Sequence, residues 1–244
     1  MIKVSVVTVS FNEINSIAKT VDSVVNQSYP EIEYICIDGD SSDGTKEYLQ
    51  SRAGDFTHFI SEPDTGIYSA MNKALALCTG DIVFFLNAND VFSSRTVLAD
   101  ACSEFRQDPT LEILHGKITY SHPNGYLETK EDECYRIYSI NDFFKKNLQQ
   151  QAFFCKRALY EELGYFSSKY KICADYDWMC KALKYAKNVK FAPIIFCVFD
   201  MEGVSVSQTH LRLREKRKII LSNSSFLEYL RYLYEGVYQL LARK

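Results

Sequence analysis

The sequence predicts an α/β fold: a mixed twisted sheet with helices on both faces, followed by a helical C-terminal extension. Three observations carry this expectation. Over the first ninety residues, β-branched apolar runs alternate with amphipathic stretches across short connections, a pattern that implies a parallel sheet covered by helices. Gly, Asn, Asp and Ser sit at the joints, where turns and caps need them. Beyond Phe92 the alternation loosens, and Pro123-Asn124-Gly125 marks an antiparallel hairpin.

Residues 3–10 form a near-continuous β-branched run, the mark of a strand buried on both faces. A helix follows over 14–26, with Ile17, Val21, Val24 and Val25 on one stripe. Residues 33–38 read as a second strand, 44–51 as a helix capped by Asp43, and 57–60 as a short third strand. The pattern over 67–78 is helical and stops at Gly80, and 81–87 is a very apolar fourth strand. Further on, 96–105 is helical, 113–120 and 126–130 flank the hairpin turn, and 153–155 is a short strand. Helices are expected over 157–163 and 176–185, then a strand over 190–199 that Pro193 demotes to an edge or a bulge. After Gln208 the chain turns basic, with Arg212, Arg214, Lys216, Arg217 and Lys218, and 225–241 reads as a helix crowded with Leu and Tyr.

Composition narrows the class. Among 244 residues, 47% are hydrophobic and 24% charged, enough apolar surface for a full core. Twenty-eight basic against 31 acidic residues leave a formal charge of −3, which argues against nucleic acid as a partner. Eight Cys are scattered without a Cys-x-x-Cys pair, so zinc and dithiol chemistry are disfavoured and buried reduced thiols are expected. No charged-then-apolar leader opens the chain and no run of 18 apolar residues occurs. The expected location is cytoplasmic, with a peripheral contact to the inner membrane face through the basic tail.

In an open α/β sheet, ligands sit beyond the carboxyl ends of the strands. Those ends here carry Ser10-Phe11-Asn12, then residues 38–44 starting at Asp38, then Glu62-Pro63-Asp64, then Asn87-Ala88-Asn89-Asp90. An aromatic face, several carboxylates and several amides suit a phosphate ester handled with a divalent cation. The same residue types gather after any strand as turn and cap residues, so at each position a turn role stands beside a ligand role. There is no Gly-x-Gly-x-x-Gly after the first strand and no Gly-Lys-Ser/Thr, which disfavours dinucleotide cofactors and P-loop chemistry.

Five motifs then occur in a familiar order. They are residues 4–13 (Val-Ser-Val-Val-Thr-Val-Ser-Phe-Asn-Glu) with 37–45, residues 61–74, residues 79–90, Gln151-Ala152-Phe153-Phe154, and Ala174-Asp175-Tyr176-Asp177-Trp178. Together they resemble the family-2 glycosyltransferases, in particular those that build bacterial surface polysaccharides, over roughly residues 3–205. The resemblance implies the GT-A fold, a Rossmann-like mixed sheet, within one domain spanning 1–208. Residues 1–92 would form its nucleotide-binding half and 93–208 its acceptor half, with 209–244 as the helical extension. It also implies a nucleotide-diphosphate sugar donor, a glycan or lipid-linked acceptor, a divalent metal (manganese or magnesium), and inversion at the anomeric carbon.

By the same resemblance, Ser10, Phe11, Asn12, Glu13 and Asp38 fall on the base and ribose side. Asp64, Asn72 and Lys73 fall along the donor. Asn87 and Asn89 fall on the family's Asp-x-Asp-type metal motif, followed by Asp90, so that Asp90 and Asn89 are the expected metal ligands. Asp175 falls on the general base, and Gln151, Asp177 and Trp178 on the acceptor side. Ser69 stands where close relatives often carry Asp. Asn89 is the main departure: it leaves Asp90 as the motif's only acid. The expected metal is therefore weakly held and completed by donor phosphates. A non-catalytic nucleotide-sugar or partner binder on the same fold stands as the rival reading. Asp175 and Asp177 also fit as helix N-terminal charges. His58, His115, His122 and His210 show no ligand spacing. His210, which follows a turn at 203–205 placed over the donor, is the nearest to a candidate. The Tyr-rich tail helix suits packing or a homo-oligomer surface.

Overall fold

A computed structural model of the chain describes residues 1–146, 148–201 and 208–225, with Tyr229 and Tyr232. Strand β1 (Val4–Ser10) has all seven residues buried, as its unbroken apolar run requires. It pairs in parallel with β2 (Ile32–Asp38) on one side and β4 (Ile82–Phe85) on the other. Strand β3 (His58–Ser61) adds in parallel to β2. Helices α1 (Ile17–Val25), α2 (Thr45–Ser51) and α3 (Ile67–Leu77) provide the connections between these strands.

After β4 the chain crosses to a two-residue strand, β5 (Val91–Phe92), and helix α4 (Val97–Gln107). Then come β6 (Ile113–Ser121), β7 (Leu127–Thr129), helix α5 (Ile140–Lys146), β8 (Phe153–Lys156) and helix α6 (Arg157–Leu163). Helix α7 (Ala174–Tyr185), β9 (Val189–Asp200) and helix α8 (Thr209–Asn223) complete the described chain. The sheet order is β3-β2-β1-β4-β8-β6-β9-β5, with β7 on β6. Strand β8 runs antiparallel to both β4 and β6, and β9 runs parallel to β6.

This topology decides what meets at the ligand-facing rim. The carboxyl ends of β1, β2 and β3 align as Ser10, Asp38 and Ser61. Because β8 is reversed, its entry at Gln150–Ala152 arrives on that same rim, beside the exits of β4 and β9. The core runs through both halves. Phe84 of β4 stacks on Phe154 of β8 at 4.1 Å between ring centroids, and Phe196 of β9 meets Phe154 edge-on at 4.8 Å.

The Pro193 segment resolves to a bulge, not an edge, since β9 lies between β6 and β5. Register jumps from His115 opposite Phe191 to Lys117 opposite Ile195, and Pro193 lies in the extra stretch that needs no ladder N–H. Gly116 faces this bulge, where a Cβ would lie 2.6 Å from the Phe196 ring and 2.7 Å from the Ile194 carbonyl.

All eight cysteines are unpaired; seven are buried and Cys134 is exposed. Helix α8 packs on α7 and buries Glu215, Ile219 and Ile220, so the start of the extension shares the core of the domain. The helix expected over 225–241 lies outside the described residues, apart from Ser225, Tyr229 and Tyr232. So does the turn expected at 203–205. No helix among the described residues is long and apolar enough to cross a membrane.

Candidate active site

The rim opens into a cavity of about 550 Å³. Its wall at the ends of β1 and β3 carries Ser10, Phe11, Glu13 and Asp64. Phe11 is 61% exposed at the mouth, an apolar face presented to solvent where a planar ring can stack. Gly39 makes room for it: a Cβ there would lie 2.9 Å from Asp64 Oδ2 and 3.1 Å from the Phe11 ring. Asn12 does not line the cavity. Its backbone is left-handed (φ 56°), its Oδ1 accepts from Ser42 N–H at 2.9 Å, and its own N–H donates to Ser41 Oγ.

Asp38 is also placed behind the wall. It is fully buried, and its carboxylate accepts Ser10 Oγ at 3.2 Å, Ser41 Oγ at 2.5 Å, Ser41 N–H at 3.0 Å and Ser61 Oγ at 2.7 Å. It ties three strand ends together and orients Ser10. Asn72 and Lys73, expected along the donor, face elsewhere. The Asn72 amide makes two bonds to the Phe166 backbone, both at 2.9 Å. Lys73 pairs with Glu62 at 2.7 Å.

Asp175 occupies the first turn of α7 and lines the cavity. Tyr68, in the first turn of α3, donates its hydroxyl to Asp175 Oδ1 at 2.7 Å. Burial raises the Asp175 pKa above the ordinary carboxylate value, against the pull of the Tyr68 hydroxyl and of the Lys216 charge. A carboxylate raised in this way is a better proton acceptor at neutral pH. Its neighbours in the motif take structural roles. Asp177 pairs with Lys181 at 2.6 Å. Trp178 stacks on Tyr160 at 3.9 Å and donates its indole N–H to the Gly164 carbonyl. Neither lines the cavity.

At the β4 exit, Asn87, Asn89 and Asp90 line the cavity with Gln151, and Asp200 from the end of β9 joins them. Asp90 is buried; Gln151 Nε2 donates to its Oδ2 at 2.6 Å and the Asp200 N–H to its Oδ1 at 3.0 Å. Burial pushes Asp90 up to about 8. Asn89 adopts a left-handed backbone (φ 82°). The side-chain oxygen of Asn87 is buried and has no hydrogen-bond partner among the described residues. Among those residues, no group of three or more His, Cys, Asp or Glu is arranged to hold an ion. The Asn87 oxygen and the Asp90 carboxylate fit a divalent cation only as part of a set that phosphate oxygens complete. A cation there would also favour the charged form of Asp90.

The glycosyl transferase family 2 profile matches residues 5–171. The chain belongs to glycosyl transferase family 2. An uncharacterised glycosyltransferase of Mycobacterium tuberculosis (strain CDC 1551) is 33% identical over 209 residues, covering 82% of this chain and 76% of its own. A glycosyltransferase of PGL/p-HBAD biosynthesis from Mycobacterium bovis BCG is 26% identical over 160 residues, covering 64% of this chain and 60% of its own. Among solved structures, Staphylococcus aureus TarS 1-349 in complex with UDP superposes with a TM-score of 0.74 at 19% identity, covering 96% of this chain and 70% of that one. The mannosyltransferase PcManGT of Pyrobaculum calidifontis, in complex with GDP-Man and Mn2+, superposes with a TM-score of 0.70 at 20% identity, covering 97% and 69%. The fold is GT-A, and the family performs glycosyl transfer.

Several cavity residues of this family member escaped the reading of the sequence: Tyr68, Lys171, Asp200, Arg212 and Lys216. Arg212 and Lys216 are four residues apart and so share a helix face, a signal present in the sequence. Asp200 carried none, because only the strand order brings the end of β9 to the β4 exit.

Proposed function

We propose that the protein transfers a sugar from a nucleotide-diphosphate donor to an acceptor hydroxyl, with inversion at the anomeric carbon. The observation that carries this reading is the carboxylate of Asp175, raised by burial, oriented by Tyr68, and facing the same cavity as Phe11 and Asp64. Phe11 stacks on the base, while Ser10, held by Asp38, and Asp64 offer polar contacts to the nucleoside. The complexes of TarS with UDP-GlcNAc and of PcManGT with GDP-Man support a donor of this class.

Asp175 takes the proton of the acceptor hydroxyl as the new glycosidic bond forms. Inversion requires its carboxylate and the departing diphosphate on opposite faces of the sugar. Tyr68 fixes the carboxylate rotamer and shares its charge before the proton arrives. At the other end, Asn87 and Asp90 would hold a divalent cation, which when bound would offset the charge that grows on the diphosphate. Gln151 fixes Asp90 and, with it, the acceptor-side wall.

The acceptor in this proposal is a glycan or a lipid-linked saccharide, in polysaccharide or glycan assembly; the relative of PGL/p-HBAD biosynthesis supports that setting. A peripheral membrane contact is supported by Arg214, Arg217 and Lys218 beside exposed Leu213 and Leu221 on α8. The test is a panel of nucleotide sugars with manganese or magnesium, read by mass spectrometry as release of free nucleoside diphosphate. One donor should turn over well above the others. No turnover of any donor, with nucleotide binding retained, would leave the non-catalytic binder.

A further inference from the structure

The start of α7 is fixed by a residue of the C-terminal extension. Glu215 of α8 is buried, and its carboxylate accepts the backbone N–H groups of Lys171, Ile172 and Cys173 at 2.9, 3.0 and 3.1 Å. This clamp seats α8 against the residues that lead into Asp175. It thereby brings Arg212 and Lys216, one turn apart on the inner face of α8, to the cavity wall, where Lys171 joins them.

Two half-buried cations, with the exposed Lys171 beside them, therefore gather on the Asp175 side of the cavity. None of their side chains is in an ion pair among the described residues. The half-buried Lys216 ammonium lies 4.6 Å from the Tyr176 ring centroid; burial lowers its pKa, against the attraction of the nearby Asp175 carboxylate, with which it makes no direct ion pair. Asp175 is the acid placed among them, and it loses its negative charge when it takes the acceptor proton. The surplus of positive charge then grows.

In the transfer reading, base and leaving group lie on opposite faces of the sugar, and the diphosphate is assigned to Asn87 and Asp90 at the end of β4. On that reading the group that meets Lys171, Arg212 and Lys216 enters with the acceptor.

We infer that Lys171, Arg212 and Lys216 form an anion subsite, and that the natural acceptor carries an oxyanion, a phosphate or a carboxylate, close to the hydroxyl that is glycosylated. This rests on the transfer reading above and narrows its acceptor class. Arg212 supplies a planar fork for two oxyanion oxygens, and Lys216 a point charge one helical turn away.

The experiment is calorimetry on the full chain, first with UDP and GDP alone. The protein saturated with whichever binds is then titrated with glucose 1-phosphate, glucuronate and glucose. Saturation blocks the phosphate positions of the donor. Either anionic sugar should bind at least about tenfold tighter than glucose, and the stronger of the two identifies phosphate or carboxylate as the group read. Arg212→Gln and Lys216→Gln should each weaken that binding by roughly tenfold, as expected for loss of one charge-assisted hydrogen bond. Nucleoside diphosphate affinity should stay within about twofold, a range set by the absence of any proposed direct contact. Arg212 is half-buried and carries the test if Lys216→Gln fails to fold. Equal binding of all three sugars overturns the inference, as does anion binding that survives both substitutions. Variants that lose nucleoside diphosphate affinity instead assign the cations to the donor. A native protein that binds neither nucleotide overturns the transfer reading and the inference with it; one that binds nucleotide but no anionic sugar overturns the inference alone.

Discussion

Replacing Tyr68 with Phe removes one atom from the centre of the proposed chemistry. The ring, which packs 5.6 Å from Phe166 between centroids, is kept. What is lost is the hydroxyl that donates to Asp175 Oδ1 at 2.7 Å. That bond favours the ionised carboxylate, in opposition to burial, which raises the Asp175 pKa. A hydrogen bond to a charged group contributes about 1.5–3 kcal/mol, and one pH unit corresponds to about 1.4 kcal/mol. Tyr68→Phe should therefore raise the Asp175 pKa further, by the loss of a contribution of that size. Only the ionised form can take the acceptor proton, so activity is present above this pKa and lost as pH falls through it. The acid limb of kcat/KM against pH, which reports the free enzyme, should move to higher pH by the same amount. The alkaline plateau should fall much less. An acid limb that stays in place, or moves to lower pH, would refute the assignment of Tyr68 and Asp175 as a working pair.

Two further outcomes follow from other parts of the molecule. Glu33 is buried and held down to about 2: burial alone would raise it, but bonds from Lys3, Ser5 and Thr79 outweigh that cost. Its folded pKa lies below the unfolded value near 4.5, so its contribution is complete above about pH 4.5 and is lost as pH falls towards about 2. The shift corresponds to about 3 kcal/mol, and Glu33→Gln should be much less stable than the native protein at pH 7, with most of that gap gone at about pH 2, by denaturant melts. A stability gap that is the same at both pH values would contradict this. Asn89→Asp should tighten manganese binding in the presence of nucleoside diphosphate, because a carboxylate attracts the ion more than an amide does; unchanged manganese titrations would place the ion away from Asn87–Asp90.

How far the sequence reached can be traced residue by residue. The β1–β4 part was legible because β1, β2 and β4 are buried on both faces and read as nearly continuous apolar runs, and its helices carry clear stripes. Pro193 announced a disrupted strand, but whether as an edge or a bulge depended on β5, a two-residue strand too short to leave a pattern. At the site, Phe11, Asp64, Asn87, Asp90, Gln151 and Asp175 could be named from motifs and do line one cavity. Asp38, Asn72, Asp177 and Trp178 carried the same motif signal, yet their polar atoms are spent on Ser41, Phe166, Lys181 and Gly164. A motif records that a side chain is needed, and gives no sign of whether it faces the ligand or holds the wall behind it. Glu215 and Lys216 were hidden in what reads as a solvated basic segment. Their role comes from α8 docking on the start of α7, a contact between segments about forty residues apart.

The central claim is that Asp175 is the base of a glycosyl transfer reaction. It is tested most directly by comparing native protein and Asp175→Asn on one productive donor and acceptor, with nucleoside diphosphate affinity measured in parallel. Asparagine keeps the size of the side chain and can still meet the Tyr68 hydroxyl, but it cannot accept the acceptor proton. Transfer should fall by about 10²–10⁴-fold while nucleotide affinity is unchanged. Transfer that persists within about threefold of native, far above the loss expected for a missing base, would contradict the account and remove Asp175 from the chemistry.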